Sequence, residues 1–215
     1  CGDIGYPKSK NFRYFMESCN YNFDKTFYVA GNHEYYGNTL EEGDKILEKS
    51  LYGLQNICYL NNKSETCENY KILGSTLWSD INIDKYKDKD KQSYDVKHIR
   101  NSNLNILRNT YRNNIKWLNL EINKNKDSKI IIMTHHSPTY KSIHRKFLNN
   151  NFNSLYCSNL EYIIEQNDNI VRWLYGHLHL TNGDVTINNC KIINNAIGFY
   201  NEKKIINNNN IYEIL

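Results

Sequence analysis

The sequence predicts an α/β fold, because apolar runs of strand length alternate with segments of helical periodicity along its 215 residues. Three of the apolar runs end in turns that carry histidine: Asn32-His33, His135-His136 and His177-Leu178-His179. The carboxyl ends of the strands in an open α/β sheet share one edge, and ligands bind at that edge. We therefore expect the three turns to meet in one site.

The composition indicates one globular domain over residues 1–215, since 40% of the residues are hydrophobic and 23% are charged. The formal net charge of +4 is small and the lysines are scattered, so charge indicates neither nucleic-acid binding nor any other partner. No apolar run reaches the roughly 18 residues of a membrane-spanning helix. The six cysteines are widely spaced without a Cys-x-x-Cys pair, which favours reduced thiols in a cytoplasmic protein.

The first third of the chain reads as helix, strand and helix. Residues 9–19 carry apolar side chains at helical spacing, and residues 27–30 have the length and composition of a buried strand that ends at Gly31. A second helix is expected over residues 39–51, with Thr39 as its N-cap and acidic residues in its first turn.

Two shorter apolar runs follow, over residues 57–60 and 70–77, and a polar, turn-rich stretch at residues 61–69 separates them. This pattern predicts a hairpin. Residues 80–95 are polar with little apolar periodicity, so we expect a surface loop that overhangs the site.

The second half of the chain begins with a helical pattern over residues 96–124, broken near Asn103. Residues 129–134 form the clearest strand, continuous and apolar, hence buried on both faces. The remaining expected elements are a short helix at residues 159–165 and strands at residues 170–175, 184–187, 190–194 and 211–214.

The histidine-bearing turns, with Asp3 and Asn32, offer imidazole nitrogens, a carboxylate and an amide oxygen. Such ligands suit borderline divalent ions such as zinc, manganese or iron. A single histidine at a strand end is more often a surface or hydrogen-bonded residue than a ligand. Several converging strand ends favour a metal hydrolase, although spacing leaves open whether His177 and His179 face opposite ways or reach neighbouring ions.

Four short motifs in this order, Gly2-Asp3, Gly31-Asn32-His33-Glu34, Thr134-His135-His136-Ser137-Pro138 and Gly176-His177-Leu178-His179, resemble those of the calcineurin-like metallophosphoesterases. The resemblance spans nearly the whole chain. It implies a four-layer α/β/β/α sandwich of two mixed sheets, with two divalent metal ions (Mn, Fe or Zn) at the carboxyl edge of the sheets.

The resemblance also implies roles for individual residues. Asp3 would bridge the two ions, and His179 would bind the second ion. The ligands of the first ion would be Asn32, His135 and His177. His33 would donate a proton to the leaving oxygen.

Three further residues are expected near this centre. Glu34 would orient the turn that carries His33, and His136 would lie beside a ligand without binding the metal. Arg100 could meet a substrate phosphate. For Arg100, a solvated helix or loop face is the competing interpretation, as it is for Asp95 and His98.

The implied activity is hydrolysis of a small-molecule phosphomonoester or phosphodiester by a metal-bridging hydroxide. Family members carry an earlier strand that ends in an Asp and a His two residues apart, and this sequence lacks it. We therefore expect a domain that is truncated at its amino end and lacks its first strand. The alternatives are a non-catalytic binding or scaffold protein that keeps the fold, and a nuclease relative, which only the mild positive charge suggests.

Overall fold

A computed structural model of the chain describes residues 1–86, 93–199 and 202. In these ranges α-helices pack with two β-sheets, one of two strands and one of six. This arrangement confirms the predicted α/β fold with two sheets. The six-stranded sheet is mixed, whereas the two described strands of the small sheet are parallel. The single domain over residues 1–215 and the lack of a first strand stay predictions.

The small sheet consists of strands β1 (Thr26–Tyr28) and β2 (Ile57–Tyr59), and the chain between them forms helix α2 (Leu40–Leu51). Helix α1 (Lys10–Asn22) precedes β1 and begins after Ser9, whose hydroxyl accepts a hydrogen bond from a backbone N–H of its first turn. Helix α2 is capped at Thr39, the predicted N-cap residue. The Thr39 side chain accepts from the backbone N–H of Glu42, and the Glu42 side chain accepts from the backbone N–H of Thr39.

The large sheet has the strand order β3-β4-β5-β6-β8-β7. Its strands are β3 (Lys63–Cys67), β4 (Tyr70–Ser75), β5 (Lys129–Thr134), β6 (Ile170–Tyr175), β7 (Val185–Ile187) and β8 (Cys190–Asn194). The four central strands, β4, β5, β6 and β8, are parallel, while β3 and β7 pair antiparallel at the two edges. The carboxyl ends of the central strands therefore share one edge, as the sequence predicts.

The predicted hairpin of residues 57–60 with residues 70–77 is wrong, because these two strands do not pair with each other. Strand β2 pairs with β1 in the small sheet, and β4 pairs antiparallel with β3, which lies inside the polar stretch at residues 61–69. Because β3 is an edge strand whose side chains are exposed or half-buried, its sequence is polar and lacks the apolar alternation of a covered strand.

Helix α4 (Leu104–Lys124) covers the large sheet and starts where the predicted break falls. The side chain of Asn103 caps it, with Oδ1 accepting from the backbone N–H of Ile106 at 2.9 Å. Shorter helices α3 (Tyr94–His98) and α5 (Glu161–Glu165) flank it in sequence. Among the described helices, none has the length and apolar character needed to cross a membrane.

Two expectations from the sequence reach beyond the described residues. The polar stretch at residues 80–95 contains a 3₁₀ turn (Ile83–Tyr86) and the start of α3, but residues 87–92 lie outside the described part. The strand predicted at residues 211–214 also lies outside it.

The main core packs the helices against both sheets, and a smaller apolar cluster lies between the two sheets. The buried residues of the smaller cluster are Val29, Leu60, Ile72, Ile131 and Met133. Beyond this cluster, the hydroxyl of Thr76 donates to the carbonyl of Ala30 at 2.9 Å, which joins the chain after β4 to the chain after β1. The two sheets therefore meet at their carboxyl ends.

Candidate metal centre

Four side chains reach this meeting point from four separate parts of the chain. Asn32 lies in the turn that follows β1, His135 follows β5, His177 follows β6, and Asp3 lies in the loop at the beginning of the chain. Asp3 and His177 have φ angles of 57° and 60°, in the left-handed region that residues other than glycine seldom adopt. Such conformations are held by the surrounding structure and cluster at functional sites.

Nε2 of His135 is the point on which the other three side chains converge. It lies 3.0 Å from Oδ1 of Asn32, 3.1 Å from Nδ1 of His177 and 3.4 Å from Oδ2 of Asp3. The other ring nitrogen, Nδ1, is 2.7 Å from the backbone carbonyl of Cys1. A carbonyl only accepts, so Nδ1 carries a proton and Nε2 is the nitrogen presented to the cluster.

The cluster satisfies the chemical requirements of a divalent cation. The oxygens of Asn32 and Asp3 that face Nε2 only accept, so the group needs either a proton on Nε2 or a cation between its members. Asp3, His135 and His177 can each offer one ligand atom within 4.8 Å of the others. Nδ1 of His177 is the ring nitrogen that faces the cluster, and a neutral imidazole nitrogen is a ligand that borderline divalent cations accept.

Electrostatics favour an ionised carboxylate at Asp3 and a neutral imidazole at His177. Burial alone would raise the pKa of Asp3, but the charge and hydrogen bond of His135, helped by His33 and His177, hold that pKa well below its usual range. Burial, followed by the charge of neighbouring histidines, lowers the pKa of His177 strongly. The site therefore presents an ionised carboxylate and a neutral imidazole.

His136 lies behind the ligands. Its ring packs against Trp78 at 5.4 Å and His177 at 4.4 Å between centroids, and its Nδ1 faces the carbonyl of Thr76 at 3.4 Å. Burial, then the charge of His135, lowers the pKa of His136 to about 3. The ring of His136 is therefore buried and packs directly against the ring of His177; its role beside a metal ligand stays a prediction.

Glu34 joins two loops of the site through its fully buried carboxylate. Oε2 accepts from the backbone N–H groups of Gly31 at 2.7 Å and Asp3 at 2.9 Å, and Oε1 accepts from Ile4 at 2.7 Å and Gly5 at 3.3 Å. The loop that carries Asp3 is thereby bound to the turn that carries Asn32.

His33 lies beside the cluster and is open to solvent. Its Nε2 is 3.9 Å from Oδ2 of Asp3, and 34% of its side chain is exposed. Rings of Tyr36, Tyr94 and Phe199 surround it at centroid distances of 4.5, 6.4 and 6.1 Å. The imidazole of His33 therefore lies between the cluster and solvent.

Glycines let the backbone approach these ligands closely. A Cβ atom on Gly31 would lie 2.1 Å from Oδ1 of Asp3, and one on Gly2 would lie 2.4 Å from Nδ1 of His135. The sequence assigns Gly31 a role in turning the chain, and the structure adds that no side chain fits there.

Two predicted site residues are not brought into the cluster. Nδ1 of His179 lies 2.9 Å from a carboxylate oxygen of Glu202, so its second ring nitrogen is the one left for a ligand. The guanidinium of Arg100 contacts Glu42 in the first turn of α2, and 57% of its side chain is exposed. For Arg100 this contact favours the interpretation as a solvated side chain.

One contact of the site escapes sequence reasoning. The carboxylate of Asp95 accepts a hydrogen bond from Nδ2 of Asn32 at 2.7 Å. The only signal in the sequence is that Asp95 belongs to a polar stretch expected to overhang the site, and such a stretch does not indicate which residue is contacted.

Comparisons with known proteins identify a matching family and a similar protein. A sequence profile described as calcineurin-like phosphoesterase matches residues 1–180. Uncharacterized protein L509 of Acanthamoeba polyphaga mimivirus is 30% identical over 227 aligned residues, which cover 96% of this chain and 79% of that protein.

Two solved structures are similar to this chain over most of its length. Phosphopantetheinyl hydrolase (PptH) from Mycobacterium tuberculosis has a TM-score of 0.69 at 13% identity, with 93% of this chain and 78% of that chain covered. The protein TT1561 of Thermus thermophilus has a TM-score of 0.58 at 10% identity, with 91% and 74% covered. At such identities the likeness concerns the fold alone.

Proposed function

The chain belongs to the calcineurin-like phosphoesterase family, and we propose that it is a metal-dependent hydrolase of a small-molecule phosphomonoester or phosphodiester. The observation that carries the proposal is the convergence of Asp3, Asn32 and His177 on Nε2 of His135. The carboxylate oxygen, amide oxygen and imidazole nitrogens that meet there are donors that suit a borderline divalent cation.

Asp3, Asn32, His135 and His177 would hold the first cation. Asp3 and Nε2 of His179, whose Nδ1 is occupied by Glu202, would help to hold a second cation. Divalent cations at such a centre lower the pKa of water and neutralise charge on phosphoryl oxygens. Zinc, manganese and iron all match this donor set, and we propose manganese for the first assays.

We assign to His33 the donation of a proton to the leaving oxygen. Its exposed ring lies next to the carboxylate of Asp3, so a phosphoester bound at the centre lies within its reach. The buried Glu34 holds the backbone of this turn, which keeps the imidazole at a fixed distance from the ligands.

All six cysteines are free, which supports a reducing, cytoplasmic compartment.

The test is hydrolysis of p-nitrophenyl phosphate and bis(p-nitrophenyl) phosphate by the manganese-loaded protein. His33→Ala should lower kcat by about 10²-fold, the loss expected for a missing general acid, while manganese affinity stays at the wild-type value. The control is His144→Ala, a histidine in a separate 3₁₀ turn, and it should retain activity.

The outcomes separate the parts of the proposal. Wild-type turnover in His33→Ala would contradict the proton-donor role alone. Manganese binding without turnover of any phosphoester would favour a non-catalytic binding protein. A wild-type protein that binds no divalent metal would refute the proposed function.

A further inference from the structure

Asn32 differs from the other members of the cluster because its side chain ends in two groups of similar size and opposite character. The oxygen Oδ1 can bind a cation, whereas the Nδ2 amino group only donates hydrogen bonds and cannot. Rotation of the amide by 180° would exchange the two groups. The capacity of Asn32 to bind a metal therefore depends on which way its amide faces.

The structure holds this amide in one orientation through a closed set of hydrogen bonds. Nδ2 donates to Oδ1 of Asp95 at 2.7 Å and to the hydroxyl of Tyr36 at 2.8 Å, so both of its hydrogens have acceptors. The Tyr36 hydroxyl in turn donates to the same oxygen of Asp95 at 2.7 Å. These bonds leave Oδ1 of Asn32 facing Nε2 of His135 at 3.0 Å.

Asp95 decides the orientation because it is the member that can only accept. A hydroxyl can donate or accept, so Tyr36 alone would tolerate either face of the amide. The Tyr36 hydroxyl donates its one hydrogen to Asp95, so its oxygen is left to accept from Nδ2 of Asn32. Only 3% of Asn32 is exposed, which leaves little room for water to replace the carboxylate.

We propose that Asp95 is a positioning residue that keeps Oδ1 of Asn32 toward the metal and thereby sets the affinity of the site. This inference rests on the proposed function, because it requires a cation at the cluster. It brings α3, which begins at Tyr94, into the metal centre through a residue that does not contact the metal. Loss of such a partner typically weakens metal binding by about 10- to 100-fold.

The experiment measures the Kd of manganese by titration calorimetry for the wild-type chain and a set of variants. Asp95→Ala should raise the Kd about tenfold or more. Asp95→Asn keeps an oxygen that can accept from Nδ2 of Asn32 and from Tyr36, so it should stay closer to wild type than Asp95→Ala. The matched control is Asp127→Ala, an exposed carboxylate just before β5 and thus at the opposite end of the sheet, with an unchanged Kd.

A double variant separates positioning from general damage. Asn32→Asp replaces the amide by a carboxylate whose two oxygens are equivalent, so there is nothing left to orient. In that background, Asp95→Ala should change the Kd by less than about twofold, or lower it, because it also removes a neighbouring like charge.

Each outcome has a distinct meaning. An equal loss of affinity from Asp95→Ala in both backgrounds would show general damage and refute the positioning role. An unchanged Kd in Asp95→Ala, beside a wild type that binds manganese, would refute the positioning role and leave the proposed function standing. A wild type that binds no manganese would refute the proposed function and the positioning role together.

Discussion

Glu34→Gln should destabilise the folded protein by about 3 kcal/mol. The carboxylate accepts four backbone N–H groups, two at each oxygen. Glutamine has nearly the same shape, but its NH₂ group is a hydrogen-bond donor and would face one of the two pairs of backbone N–H groups, which are donors too. In one orientation the N–H groups of Asp3 and Gly31 lose their acceptor, and in the other those of Ile4 and Gly5 do. Two hydrogen bonds to a charged group, at about 1.5 kcal/mol each, give the expected loss.

The assay is urea denaturation of the metal-free protein followed by circular dichroism, so that stability is measured apart from metal binding. Glu165→Gln, which changes an exposed carboxylate on α5, is the matched control and should unfold with wild-type stability. If Glu34→Gln unfolds within about 0.5 kcal/mol of wild type, as surface substitutions do, the carboxylate does not hold the two loops together.

Two further predictions concern packing and pH. Gly31→Ala should destabilise the fold by about 1–3 kcal/mol and weaken manganese binding, because its Cβ would lie 2.1 Å from Oδ1 of Asp3. Gly53→Ala strains the backbone at a φ of +83° but has open space around its Cβ, so it should leave the manganese Kd unchanged. Equal manganese affinities for the two variants would contradict the steric argument. Burial raises the pKa of Cys157 to about 12, while the thiol of the unfolded chain ionises near 8.5. Above about pH 8.5 the unfolded chain therefore loses a proton that the folded protein keeps. The free energy of unfolding should fall by up to about 1.4 kcal/mol per pH unit. Urea unfolding between about pH 8.5 and 10 should show a shallower decline for Cys157→Ala than for wild type, and coincident slopes would disprove it.

The elements that the sequence predicts best are those with strong local signals. Strands β5 and β6 fall on their predicted residues because both are mostly apolar, with a continuous apolar run at residues 130–133 in β5 and a single charged residue, Arg172, within β6. Helix α4 starts after Asn103 because that side chain caps it, and the sequence marks this position as a break. Strand β3 is missed because an edge strand needs no apolar face, so its residues look like a turn.

The candidate site likewise has residues that the sequence predicts and contacts that it does not. Order along the chain places Asn32, His135 and His177 at strand ends. Parallel pairing of β5 with β6 brings His135 and His177 together, whereas Asn32 follows β1 of the other sheet, and its approach depends on how the two sheets pack. Contacts with a side chain from an irregular stretch have no periodic signal, so the approach of Asp95 to Asn32 and of Glu202 to His179 follows only from the folded structure.

The division of the site between two sheets has a mechanical consequence. Asn32 follows a sheet whose two described strands are three residues long, whereas His135 and His177 follow the six-stranded sheet. A cation shared by these ligands would act as a cross-link, and any fluctuation that parts the sheets would have to break coordination bonds first. The small sheet would therefore gain rigidity from what binds at its end, and chelation would release the sheets from each other as well as remove the cation.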